Sequence, residues 1–86
     1  MYNIEFDRKV EKFLNKTDDK TITLFLQKLE ILKANPFENQ LDIKKLKGKF
    51  KNCYRLRVGK YRFLYEILED KILIYFFDAN SRGDIY

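Results

Sequence analysis

At 86 residues the chain is expected to form one domain, residues 1–86, with one modest core, because a chain this short buries only about 60–65% of its unfolded surface. Histidine is absent and Cys53 is the single cysteine, which excludes an internal disulfide, the histidine ligand of most zinc sites and a Ser-His-Asp triad. No stretch approaches the roughly 18 apolar residues of a membrane span, and "MYNIEFDRKV" lacks the apolar middle of a signal peptide; a cytoplasmic protein with no membrane association, metal or cofactor is expected.

In "YNIEF", Ile4 and Phe6 alternate with polar residues, as in a short strand. Asp7 is suited to cap a helix in which Val10, Phe13 and Leu14 recur at helical spacing. "KTDDK" breaks that helix, and Thr17 or Asp18 caps the next. Ile22, Phe25, Leu26, Leu29 and Leu32 then form one apolar stripe, read as core, which Asn35-Pro36 terminates. Residues 36–52 read as a polar, lysine-rich loop with Leu41, Ile43 and Leu46 as anchors. From Tyr54 the period changes to two, and strands are predicted to about Phe77. The fold class is therefore α+β: a strand, two helices and a three-stranded antiparallel meander, with both helices on one face of the sheet.

Charge is distributed unevenly. The net charge is +5, yet residues 1–43 hold seven Lys/Arg against eight Asp/Glu, and residues 63–86 hold two against five. Residues 44–62, "KKLKGKFKNCYRLRVGKYR", hold nine basic residues and no acid. Lys44, Lys45, Lys47, Lys49 and Lys51 open this run. Such a one-signed field attracts phosphates or an acidic protein; a solvated lysine-rich loop is the alternative for residues 44–51.

Gly59-Lys60 lies between two alternating runs and suits a type II′ hairpin turn. That turn pairs Val58 with Tyr61, Arg57 with Arg62, Leu56 with Phe63, Arg55 with Leu64 and Tyr54 with Tyr65. Cross-strand partners share a face. Tyr54, Leu56, Val58, Tyr61, Phe63, Tyr65 and Ile67 then face the core, while Arg55, Arg57 and Arg62 cluster on the other side. A second turn near Glu69-Asp70 or Asp70-Lys71 adds Ile72, Ile74 and Phe76 to the core face and Leu73, Tyr75 and Phe77 to the arginine face. Arg57 opposite Arg62 is a like-charge pair that folding alone does not favour. Arginine beside aromatic rings suits RNA, through bidentate phosphate contacts and base stacking. The competing reading is a solvated arginine face paired with Glu66.

"LKGKFKNCYRLRVGKYRFLYEI" followed by "ANSRGDIY" resembles the RelE/ParE superfamily of toxins from type II toxin–antitoxin modules, and the element order matches that fold. In its RelE branch the resemblance implies a metal-independent endoribonuclease that enters the ribosomal A site and cuts mRNA, by attack of a ribose 2′-hydroxyl on the adjacent phosphate. It implies that Arg62 and Arg82 hold the scissile phosphate, that Tyr86 stacks on a base or moves a proton, that Arg55 and Arg57 lie on the first hairpin strand of the site, and that the lysine run docks on ribosomal RNA. With Phe77 opposite Arg62, the chain beyond it would fold back and bring Arg82 and Tyr86 to Arg57 and Arg62. The expected partners are the ribosome with its mRNA and a small, partly acidic antitoxin. Two departures concern proton transfer: some members have lysine where this chain has Arg55 and Arg57, and many have histidine where it has Ser81. Two other functions stay open, a ParE-type toxin acting on DNA gyrase and a non-catalytic RNA- or protein-binding module.

Overall fold

The structure is a computed structural model that describes residues 1–37, 40–48 and 51–81. In chain order it has β1 (Asn3–Phe6), α1 (Arg8–Lys16), α2 (Asp19–Ala34), β2 (Ile43–Lys45), β3 (Cys53–Val58), β4 (Tyr61–Leu68), a 3-10 turn (Glu69–Lys71) and β5 (Leu73–Asn80). The strands form one sheet in the order β1-β5-β4-β3-β2. All neighbours are antiparallel except β1 and β5. That one parallel pair follows from the connection: α1 and α2 carry the chain across the sheet before it returns.

Each helix starts where its cap chemistry directs. The Asp7 carboxylate accepts from the Lys9 backbone N–H at 3.0 Å, and Asp18 accepts from the Thr21 N–H and hydroxyl. Both are N-caps, so both satisfy otherwise unpaired first-turn donors. Asn35 ends α2. Val10, Phe25, Leu29 and Leu32 from the helices meet Leu56, Val58, Phe63, Tyr65, Ile67, Ile74 and Phe76 from the sheet in one core. Its centre is aromatic: the Phe25 ring stacks on Phe63 at 4.3 Å, and Phe13 meets Phe63 edge-on at 5.5 Å. Burying side chains of this size contributes about 1.5–3 kcal/mol each.

The β3–β4 hairpin has the predicted register throughout, from Val58↔Tyr61 to Tyr54↔Tyr65. Gly59 has φ +60°, while Lys60 has no positive φ, as a type II′ turn requires. The core face is therefore as expected along both strands.

Four expectations need correction. Residues 36–52 are not all loop, because Ile43–Lys45 forms an edge strand antiparallel to β3, pairing Lys44 with Arg55. Ile72 is not in the core: it caps the 3-10 turn in the left-handed region and is 53% exposed. The last strand runs to Asn80, and a bulge against Leu64/Tyr65 lets Phe77 drop out of the pairing. Asn80, rather than Phe77, therefore lies opposite Arg62. Leu26, placed in the core stripe, is 52% exposed; the buried stripe of α2 is the narrower Phe25, Leu29 and Leu32.

Candidate functional site

The sheet's second face carries the charge. Arg55 and Arg57 alternate with buried Leu56 and Val58 on β3, so both leave the core side. Arg62 joins them from β4, directly across from Arg57. The edge strand β2 lays Lys44 beside Arg55. Together with Lys45, Lys47, Asp42, Leu46, Leu64 and Asn80, these residues line an open pocket of about 640 Å³. Among the described residues the pocket thus gathers six cations and one carboxylate. Repulsion among cations this close favours any anion that enters.

Asp42 was not foreseen from sequence. Its Oδ1 accepts from the Arg55 guanidinium at 2.9 Å, and its Oδ2 lies 4.0 Å from Arg57 Nε. The internal pairing that the competing reading assigns to Glu66 comes instead from Asp42, so folding does supply an internal partner for two of the arginines. Arg62 makes no ion pair among the described residues. The Nε groups of Arg55 and Arg57 are buried without a hydrogen-bond acceptor, so donor capacity on both guanidinium groups remains unspent. A planar fork with free donors is suited to a phosphate.

The other expected site residues fall in three places. Lys51 is exposed just before β3 and does not line the pocket. Tyr75 and Phe77 do not line it either: Tyr75 sits between β4 and β1, its hydroxyl donating to Asp7 at 2.8 Å, and Phe77 occupies the bulge. Lys49, Arg82 and Tyr86 lie outside the described residues. The register change at the bulge turns Asp78 and Asn80 toward the arginine side, opposite Leu64 and Arg62.

None of the described groups with a shifted pKa lines the pocket. Burial, with the nearby Glu66 charge, pushes the Cys53 thiol up, and it donates to the Lys51 carbonyl at 3.3 Å. Cys53 is therefore held as a thiol and is a poor nucleophile. Among the described residues no group of three His, Cys, Asp or Glu could hold a metal ion.

A family model described as the ParE toxin of the type II toxin–antitoxin system, parDE, matches residues 4–86. The chain belongs to the RelE/ParE superfamily of type II toxins. A protein of Methanocaldococcus jannaschii named as a candidate RelE1 toxin is 37% identical over 75 residues, covering 85% of this chain and 82% of that protein. Among solved structures, RelE in the RelE–RelB complex of Pyrococcus horikoshii OT3 superposes with a TM-score of 0.82 at 27% identity, covering 96% of this chain and 97% of that one. The RelB–RelE complex of Methanococcus jannaschii gives 0.77 at 31% identity, covering 95% and 94%. The intact RelBE complex of E. coli, at 22% identity and a TM-score of 0.80, shares the fold. The strand, two helices and antiparallel meander are thus the RelE/ParE fold. No described helix is long and apolar enough to cross a membrane.

Proposed function

We propose that this RelE/ParE-family toxin is a ribosome-dependent endoribonuclease of the RelE branch. The observation that supports it most is the pocket on the helix-free face, where Arg55, Arg57, Arg62, Lys44, Lys45 and Lys47 converge. Attack of a ribose 2′-hydroxyl on the adjacent phosphate builds negative charge on a phosphorane, and fixed cations stabilise that charge. Arginine stays protonated, so this cluster serves electrostatics and positioning and not proton abstraction. Arg62, without an ion pair among the described residues, contacts the scissile phosphate together with Arg82. Arg57 supports them, Tyr86 stacks on or moves a proton to the substrate, and the lysines hold the RNA backbone. The roles of Arg82 and Tyr86 rest on the family resemblance. A RelB-like antitoxin is the partner in this reading, because the related RelE proteins of Pyrococcus horikoshii and Methanococcus jannaschii were solved with RelB.

The test is single-turnover cleavage of mRNA on programmed ribosomes. Arg62→Ala and Arg82→Ala should each lower the rate by about 10²–10³-fold, the usual loss for one charged transition-state contact. Lys28→Ala, on α2, is the control. Unchanged cleavage in both arginine variants would sink their assignment. A second reading, inhibition of DNA gyrase, draws on the ParE description of the matching family model. A chain that cuts no mRNA but blocks gyrase supercoiling would replace the first reading with the second.

A further inference from the structure

We propose that Asp42 is a built-in counter-anion, which holds the Arg55–Arg57 pair in the free protein and yields it to a phosphate of the RNA backbone. The inference rests on the reading of the pocket as an RNA site. Among the described residues, Asp42 is the one acid that lines the pocket. Its main chain is fixed, because its carbonyl accepts from the Arg57 N–H at 3.0 Å, which extends the β2–β3 ladder by one step. Its carboxylate, by contrast, sits on a short side chain that is 53% exposed. The anchor and the movable group are thus different parts of one residue.

The geometry is that of a partial fit. The carboxylate bonds Arg55 at 2.9 Å but stays 4.0 Å from Arg57 Nε, beyond hydrogen-bond reach. Arg55, only 16% exposed, still has an Nε without an acceptor, as does Arg57. A phosphate carries more acceptor oxygens and spans two guanidinium groups better than this carboxylate. In the absence of RNA, Asp42 offsets the repulsion among Arg55, Arg57 and Arg62. When RNA arrives, the same charge opposes it. Removing the charge should therefore move stability and affinity in opposite directions. A purely structural role would lower both.

The experiment uses fluorescence anisotropy with a labelled ten-nucleotide single-stranded RNA across several salt concentrations. Asp42→Asn should bind about fivefold tighter at low salt, the effect of one unit charge at a few ångströms in a wet site. Its log-affinity against log-salt slope should steepen by about 0.7, one added phosphate contact. Its melting temperature should fall, and Asp42→Glu should behave like the unmodified chain. The gain should vanish when Arg55→Ala is added. Weaker binding by Asp42→Asn, or unchanged affinity and slope, overturns the proposal. A variant-free arm titrates inorganic phosphate into the unmodified, isotope-labelled chain. The Asp42 carboxyl carbon should shift in step with the Arg55 and Arg57 Nε–H signals, and an unmoved Asp42 signal overturns the displacement. If ribosomal cleavage is absent while these shifts appear, the nuclease reading falls and the Asp42 inference stands. If cleavage is intact while Asp42 responds to nothing, only the inference falls.

Discussion

Ile72 and Gly59 both have positive φ, at 49° and 60°, yet substitution should act on them in opposite senses. A β-branched residue in the left-handed region is strained, by about 1–2 kcal/mol relative to the right-handed form. Ile72 gains only partial burial in return, because it is 53% exposed. Asparagine tolerates that conformation, so Ile72→Asn should raise stability by about 0.5–1 kcal/mol in a urea titration. Gly59 is the converse. A Cβ there would meet nothing within 4 Å, so space is not the constraint and the backbone is. Gly59→Ala should lower stability by about 1–2 kcal/mol in the same titration. An equal effect of both substitutions would mean that the turn conformations are wrongly assigned. The two sites also differ in how they could be foreseen. A Gly between alternating runs announces a turn; an isoleucine in a left-handed cap carries no sequence signal, and the period-two pattern continued smoothly through it.

The same contrast runs through the elements. The β3–β4 hairpin was legible because one glycine set the turn and a strict period of two carried the register along six pairs. The edge strand β2 was not, because it has three residues, two of them lysine, and its pairing depends on β3, ten residues further along the fold. Lysine on an edge also discourages further strand addition. The bulge in β5 contains no glycine, so nothing in "YFFDAN" marks where parity changes. Asp42 was missed for a related reason: it precedes the basic run in sequence, and only the β2–β3 ladder returns it to the arginines. The first strand makes a further point. β1 is tied at both ends by side chains, through Tyr2 to Glu69 at 2.6 Å and through Tyr75 to Asp7 at 2.8 Å. The Lys9 N–H bond and the Tyr75 hydroxyl hold the Asp7 carboxyl below its usual value of 3.8. Its stabilising contribution is present above that value and is lost as pH falls through the lower folded one. Asp18, held down by its bonds to Thr21, adds to the same acid limb. The bonds to Glu69 and Asp7 raise the Tyr2 and Tyr75 hydroxyls above 10.0. Their contribution is present below that value and is lost as pH rises through the higher folded one. Melting temperature against pH should therefore fall at both extremes. Asp7→Asn, which keeps a capping oxygen, should flatten the acid limb, and Tyr75→Phe the alkaline one. A Tyr75→Phe profile that matches the unmodified chain above pH 10 would remove this tie from the account.

Across the whole molecule, the fold divides its charge between two faces with different surroundings. The helices carry Lys9, Lys12 and Lys16, all exposed on α1, where Glu11 and the caps Asp7 and Asp18 dilute them. On the opposite sheet face the pocket gathers six cations, and Asp42 is the one acid that lines it among the described residues. Net charge counts both sets equally, but a local field does not, because interactions fade over a Debye length of about 8–10 Å at ordinary salt. This separation makes the polyanion question answerable by two matched variants. Replacing Lys44, Lys45 and Lys47 by alanine removes three charges from the pocket. Replacing Lys9, Lys12 and Lys16 removes three from the helical face, and all three project into solvent, so neither set disturbs the core. Binding of a single-stranded RNA should lose about 0.7 from its log-affinity against log-salt slope for each phosphate contact deleted. The pocket variant should therefore lose about 2 from that slope, while the helix variant keeps the slope of the unmodified chain. Equal losses in both would show that overall charge governs the attraction and that the pocket has no special part in it. A loss confined to the pocket variant would put the RNA on the arginine face, where Arg62 and the Asp42-held pair can reach the same stretch of backbone.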